Sequence, residues 1–482
     1  MQELFMSADL SHELHRLFYP RNIAVIGASP KAGLMGQGNN YIQGAIDMKF
    51  TGEIYPVHPS AEEVLGRKAY RSVRDIPEDV DLAIFTVPAT AALQVMEDCV
   101  AKGVKFVHLF TAGFSESGRE EFAEMERKMV EMAQKAGIRI VGPNCMGIYC
   151  PEGGLSFQPF FPKTRGPVGF FSQSGQLTGY FVMQGTAKAL RFSKAVSFGN
   201  ASDLKAHDFL NYLSQDEKTE VIGSYIEGLS HGREFLGAVK ANMGKKPLVI
   251  LKGGQTEGGS RATQSHTAAI AGSMKIWKAF CRQTGIISVD SLEEMACTIS
   301  ALQRIPLPTS KNVAIVGGAG GGSVTMTDAA EKGGLKVPHL SDETIRKFSQ
   351  IIAPQGTSVK NPLDLGANAY FGGHFPKLIG FLRDDPNIDS LIFLQQIGMF
   401  QRMLGVDQID VFINMTLQVR DQLKKPVFLV MEKDNAFGGE DLVKKAEKKY
   451  YEEGFAVFPS FEMAVRTIKN LADYRLFLSS LD

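Results

Sequence analysis

At 482 residues the chain has room for roughly two to four domains with sizeable cores. Apolar residues make up 44% and charged residues 22%, while 52 Lys and Arg balance 52 Asp and Glu; this excludes a disordered chain and any global field drawing it to nucleic acid or anionic membrane. No apolar run reaches the roughly 18 residues of a membrane span, and the first twenty residues, with Glu3, Asp9 and Glu13, lack the basic start and apolar middle of a signal peptide. Five cysteines, an odd number without close pairs, read as reduced thiols of a cytoplasmic protein. Cys145 and Cys150 match no usual zinc spacing, and no metal is expected.

Short Val- and Ile-rich runs ending in glycine or proline recur before helix-like stretches. The first series is Ile23–Ile26, Leu82–Phe85, Phe106–Phe110 and Ile138–Val141, with an amphipathic crossover between Gly118 and Gly137. Continuous apolar strands alternating with helices predict parallel sheets covered on both faces. A second series starts at Val168 and continues through Ala195–Phe198, Val221–Ile226, Leu248–Leu251 and Ile286–Val289. Pro306-Leu307-Pro308 reads as a stiff linker, and a third series holds Val313–Val316, Ser390–Leu394 and Val427–Val430. The expectation is an α/β chain of three domains, 1–150, 151–305 and 311–482.

Four features carry chemistry. The turn Gly27-Ala28-Ser29-Pro30-Lys31 through Gly36 follows the first strand, where backbone amides and a helix start favour a phosphate. Its spacing is not G-x-G-x-x-G and no ribose-binding acid follows, so a nucleotide-like ligand is favoured over NAD, with a plain tight turn as the alternative. Val87-Pro88, Thr111-Ala112-Gly113-Phe114 and Gly142-Pro143-Asn144-Cys145 follow later strands of that domain, where open sheets bind ligands.

Ser174-Gly175 and Gly317 to Gly322 open the second and third domains, and each can set several free N–H groups against one anion; Ser174 can equally be only a helix N-cap. His266 stands among small residues in a glycine-rich loop, where a neutral imidazole suits a phosphoryl carrier. Glu227, at a strand end, is the expected orienting carboxylate, a solvated loop acid being the alternative. His12, His15 and His108 receive no catalytic role, and His58 lines a cleft or caps a turn.

Taken together, Arg21 to Ser29, Ile54-Tyr55-Pro56-Val57-His58-Pro59, Thr111 to Phe114 and Gly142 to Cys145 resemble the coenzyme A-binding domain of NDP-forming acyl-CoA synthetases. Ser265-His266-Thr267 resembles that family's phosphohistidine loop, and the likeness runs from about residue 12 to the end. The order is similar to the α subunit of ADP-forming acetyl-CoA synthetases, with succinyl-CoA synthetase a distant relative. The resemblance implies a Rossmann-like CoA-binding domain and two flavodoxin-like, ligase-type domains. It implies CoA at Gly27, Ser29, Lys31, Gly36, Val57, Val87, Pro88, Ala112 and Asn144. It puts phosphate at Ser174, Gly175, Gly318, Gly320 and Gly321, with His266 carrying the phosphoryl group and Glu227 orienting it.

The implied reaction converts acyl-CoA and phosphate to acyl phosphate and CoA, after which the histidine takes the phosphoryl group, moves and delivers it to ADP. Gln264 and Ala268 depart from the family's usual serine and glycine, and Ser60 replaces a usual lysine. No segment reads as the ATP-grasp domain, so ADP or ATP with Mg²⁺ is expected on a separate β subunit, in an α2β2 assembly. A CoA-binding sensor without chemistry is the alternative, and a nicotinamide oxidoreductase a third class. The acyl group is left open; Phe157, Phe160, Phe161 and Phe198 hint at an apolar wall.

Overall fold

The computed structural model describes residues 12–30, 37–267, 273–317, 320–353, 355–365, 374–397, 409–432 and 440–481. Strand β1 (Asn22–Ile26) is buried from Ile23 onward, as a strand covered on both faces must be. Helix α1 (Gln37–Asp47) leads to β2 (Glu53–Val57), then β3 (Leu82–Phe85), α2 (Ala89–Lys102), β4 (Phe106–Leu109), α3 (Glu120–Lys135) and β5 (Arg139–Val141). All five strands pair in parallel in the order β2-β1-β3-β4-β5. Helix α3 starts on Glu120 and Glu121 and ends on Lys135, charges that suit the helix dipole. Its Met129 and Ala133 pack with Met96 and Cys99 of α2 over Ala24, Phe85 and Val107. A fully buried side chain of this size contributes about 1.5–3 kcal/mol.

The chain then adds β6 (Gly147–Tyr149) to the edge of a second sheet, antiparallel to the strand Phe192–Ser197. That sheet holds β7 (Arg165–Ser172), β8 (Phe192–Ser197), β9 (Val221–Ile226), β10 (Leu248–Lys252) and β11 (Ile287–Val289), in the order β11-β10-β9-β7-β8-β6. Its helices are α4 (Gly175–Ala187), α5 (Ala206–Gln215), α6 (Gly232–Asn242), α7 (Glu257–Thr267) and α8 (Met274–Thr284). Before β10, Lys246 closes the end of α5: its Nζ donates to the carbonyls of Leu213 (2.9 Å) and Asp216 (2.6 Å). Residues 1–290, which hold both sheets, form one compact unit.

Residues 291–482 form the other. Helix α9 (Leu292–Arg304), read from the sequence as the end of the second domain, packs Cys297 and Ala301 with Val313 and Ile315 of the third sheet. That sheet is parallel, β12 (Val313–Val316), β13 (Ser390–Leu394), β14 (Val427–Val430) and β15 (Val457–Phe458), in this order. The outer edge of β12 is covered by Asn361, whose Oδ1 accepts from Ile315 N–H at 3.1 Å and whose Nδ2 donates to Val313 O at 2.9 Å. Helix α10 (Gly321–Lys332) follows β12, α11 spans Asp342–Ser349 and α12 spans Phe375–Arg383. Lys425, just before β14, donates to the carbonyls of Leu382, Asp385 and Ile388 at 3.0, 2.7 and 2.9 Å, as Lys246 does before β10. The α/β class expected from the alternating runs is what the chain adopts. No described helix is long and apolar enough to cross a membrane.

Candidate active site

Both sheets of the first unit change direction at one point. In the first, β1 lies between β2 and β3; in the second, β7 lies between β8 and β9. At such a point the loops leaving two neighbouring strands diverge and leave a crevice beyond their carboxyl ends. The loops beyond β3, β4 and β5 meet those beyond β7 and β8 around one cleft of about 610 Å³. Thr86, Val87, Pro88, Phe110, Thr111, Ala112, Asn144, Cys145 and Met146 line it from one side, and Gln173 to Gln176, Gly199 and Asn200 from the other. This volume lies in the range of ligand pockets. Among these described lining residues none is Lys or Arg, and the groups they offer an anion are amides and hydroxyls.

The amides are supplied by the start of α4. Ser174 is its N-cap, with Oγ accepting from Leu177 N–H at 3.3 Å. Ser174 is held in turn by Ser172 Oγ, which accepts its N–H at 3.0 Å. Gly175 and Gln176 line the cleft, and as the first helical residues their N–H groups have no carbonyl one turn back. A Cβ at Gly175 would lie 2.5 Å from Met146 Cγ, so the helix can approach the opposite wall this closely only as glycine.

Glu227 sits one residue beyond β9 and is buried. Gln173 reaches across from the β7 loop, and its Oε1 accepts the N–H of Glu227 at 2.6 Å and of Gly228 at 3.1 Å. Tyr225 donates its hydroxyl to Glu227 Oε1 at 3.2 Å; burial, with the carboxylate beside it, pushes this phenol up and keeps it a donor. Lys252, also buried, donates Nζ to the carbonyls of Glu227 (2.5 Å) and Gly253 (2.6 Å). Burial pushes its ammonium below the usual lysine range, against the pull of Glu227. A carboxylate, an amide and an ammonium thus share one strand end.

Of the residues singled out in the sequence, Val87, Pro88, Ala112, Asn144, Ser174 and Gly175 line this cleft together. Gly27, Ser29 and Val57 do not. Gly27 N–H is bonded to Val57 O at 3.0 Å, Val57 is buried in the core, and Ser29 exchanges two hydrogen bonds with Asn39 of α1. Lys31, Gly36 and Gly318 lie outside the described residues. In the second unit Gly320 precedes α10 and Gly321 begins it.

His266 falls in the last turn of α7, not in a loop as its small neighbours suggested; its side chain lies outside the described residues. The helix starts where Thr256 Oγ1 accepts Gly259 N–H, and Glu257 pairs with Arg261 one turn on. His58 caps a turn, its Nδ1 accepting from Ser60 and Ala61 N–H. Phe157, Phe161 and Phe198 are core residues, Phe160 is 67% exposed, and the aromatic side chain in the cleft wall is Phe110. Burial raises the Cys145 thiol, which therefore offers no thiolate. Sequence reasoning missed Gln173, Tyr225 and Lys252. The first lay within Ser-Gln-Ser-Gly and the last preceded Gly-Gly, but nothing local tied either to Glu227.

A CoA binding domain model matches residues 21–151, and a succinyl-CoA ligase like flavodoxin domain model matches residues 165–302. The chain is 38% identical over 418 residues to acetate–CoA ligase (ADP-forming) II subunit alpha of Pyrococcus furiosus, covering 86% of this chain and 89% of that one. It is 38% identical over 389 residues to acetate–CoA ligase (ADP-forming) II of Archaeoglobus fulgidus, covering 79% of this chain but 57% of that relative. Among solved structures, the dinucleotide forming acetyl-coenzyme A synthetase 1 of Ca. Korarchaeum cryptofilum, in complex with phosphate and ADP, superposes with a TM-score of 0.80 at 30% identity, over 97% of this chain and 98% of that one. With both domain models in place and its length shared with such relatives, the chain belongs to the NDP-forming acyl-CoA synthetase family.

Proposed function

We propose that this chain is the α subunit of an ADP-forming acyl-CoA synthetase, with the thioester in the cleft between the two sheets of the first unit. The observation that carries this reading is the meeting in one cleft of the first domain's loops with the amide-bearing start of α4, while Gln173 links that helix start to Glu227. A phosphate oxygen held by the α4 amides adds to the thioester carbonyl, the C–S bond breaks, and CoA leaves with a proton. The acyl phosphate then gives its phosphoryl group to a ring nitrogen of His266, releasing the carboxylate, while Glu227 holds the other ring nitrogen.

In the second unit Gly320 and Gly321, at the start of α10, are assigned to phosphate together with Gly318, and Lys31 and Gly36 are assigned to CoA. The acceptor ADP, with Mg²⁺, is assigned to an ATP-grasp β subunit in an α2β2 assembly. A relative of matching length named as a subunit alpha supports this. The five cysteines are buried thiols and not disulfides, which suits a reducing cytoplasm.

Incubation of the chain with acetyl-CoA and radiolabelled phosphate should give an acid-labile, alkali-stable protein label. His266→Ala should remove it while acyl phosphate still forms, and undiminished label in that variant would refute the assignment.

A further inference from the structure

The segment 110–114, of which Phe110, Thr111 and Ala112 line the cleft, is held from behind. Glu116 lies in the single turn Ser115–Ser117. Its Oε1 accepts Gly113 N–H at 2.5 Å, and its Oε2 accepts Phe114 N–H at 3.2 Å and Asn200 Nδ2 at 2.6 Å. Asn200 lines the cleft from the loop after β8. Its N–H donates to Pro143 O at 3.0 Å, and its Oδ1 accepts from Asn144 Nδ2 at 3.4 Å. The loops that follow β4, β5 and β8 therefore meet on one carboxylate–amide pair. Among the described residues no Lys or Arg forms an ion pair with Glu116, and the donors that reach its carboxyl oxygens are amides. Three donors converging on one side chain call for a group whose two oxygens accept and never donate.

We propose that Glu116 is a positioning residue, a latch that holds the Thr111–Phe114 loop against Asn200 and so sets the affinity of the cleft for the CoA thioester. The inference rests on the reading of the cleft as the CoA site. Glu116→Gln would turn an amide NH₂ toward a backbone N–H or toward Asn200 Nδ2, leaving a donor facing a donor. Asn200→Asp would set two carboxylates against each other. Together the two changes exchange the roles: the amide at 116 donates to the carboxylate at 200, and its oxygen still accepts from the loop N–H groups.

The test is calorimetric titration of CoA into the full chain, with thermal melts of each variant. Each single variant is expected to bind CoA at least about tenfold more weakly, and the double variant to recover to within about threefold of the unsubstituted chain. Wild-type affinity in both singles, or a double variant as weak as the product of its singles, overturns the latch. Lower melting midpoints with unchanged CoA affinity overturn it too, since they assign the pair to stability alone. Should Glu116→Gln not fold, Glu116→Asp, one methylene shorter, decides: weakened binding supports the latch and wild-type binding overturns it. If the unsubstituted chain takes up no CoA, the assignment of the cleft fails first and the latch with it.

Discussion

Gln173 shows how much one side chain can hold. A single carboxamide oxygen satisfies two backbone N–H groups at the end of β9, which would otherwise be unpaired where the strand stops. Glu227 is then placed by its backbone before its carboxylate makes any contact. Gln173→Ala removes both bonds, each contributing about 1 kcal/mol. The expected outcome is roughly tenfold slower labelling of the protein from acetyl-CoA and phosphate. Acyl phosphate formation, followed separately, should fall less than the labelling does. Equal losses in both steps would mean that Gln173 serves the cleft and not Glu227. No pattern in Ser172-Gln173-Ser174 announces this role. The residues it joins are 54 positions apart and become neighbours only because β7 pairs with β9.

At the scale of elements, the loop after β8 is fixed by Gly199. It adopts φ +50°, and a Cβ there would lie 2.1 Å from Pro143 O and 2.4 Å from Asn144 O, backbone atoms that cannot swing aside. Gly199→Ala should push this loop away from the β5 loop, costing about 2 kcal/mol of stability and weakening CoA binding at least about tenfold. Chemical denaturation and CoA titration of the variant check both figures, and a variant matching the unsubstituted chain in both would show that the loops separate freely. The parallel strands were legible because burial on two faces leaves unbroken apolar runs such as Leu82–Phe85. Strand β6 was not, since its three residues are strand only by pairing with β8. Helix α7 was missed for a different reason: Gly258 and Gly259 read as loop, while a threonine cap and an ion pair start the helix regardless. The glycine-rich helix starts stood out as motifs; which loops face each other across the cleft depends on strand order, which no local pattern encodes.

For the molecule as a whole, His108 gives the first unit an acid limit. It is buried in β4 with Nε2 against Cys145 O at 3.2 Å, and burial lowers its pKa to about 4. The unfolded chain binds the proton from about pH 6.5 downward and the folded one only near pH 4, so stability present above pH 6.5 is lost as pH falls through that interval. The loss approaches about 3 kcal/mol at its limit. In urea denaturation, the stability advantage of the unsubstituted chain over His108→Gln should shrink from pH 7 to pH 4.5; an advantage independent of pH would show that His108 titrates alike in both states.

The two lysine staples have a further consequence. Lys246 stands two residues before Leu248, which pairs with Ile222, and Lys425 stands two residues before Val427, which pairs with Leu391. Each lysine closes the helix preceding the neighbouring strand. Counting five residues on from Ile222 and from Leu391 makes Gln396 the counterpart of Glu227. The second and third sheets thus share one device, a lysine that closes the helix before one strand from a fixed place ahead of the next. They differ at the matching position: the second sheet has an acid at its strand end, and the third an amide that can neither gain nor lose a proton at physiological pH.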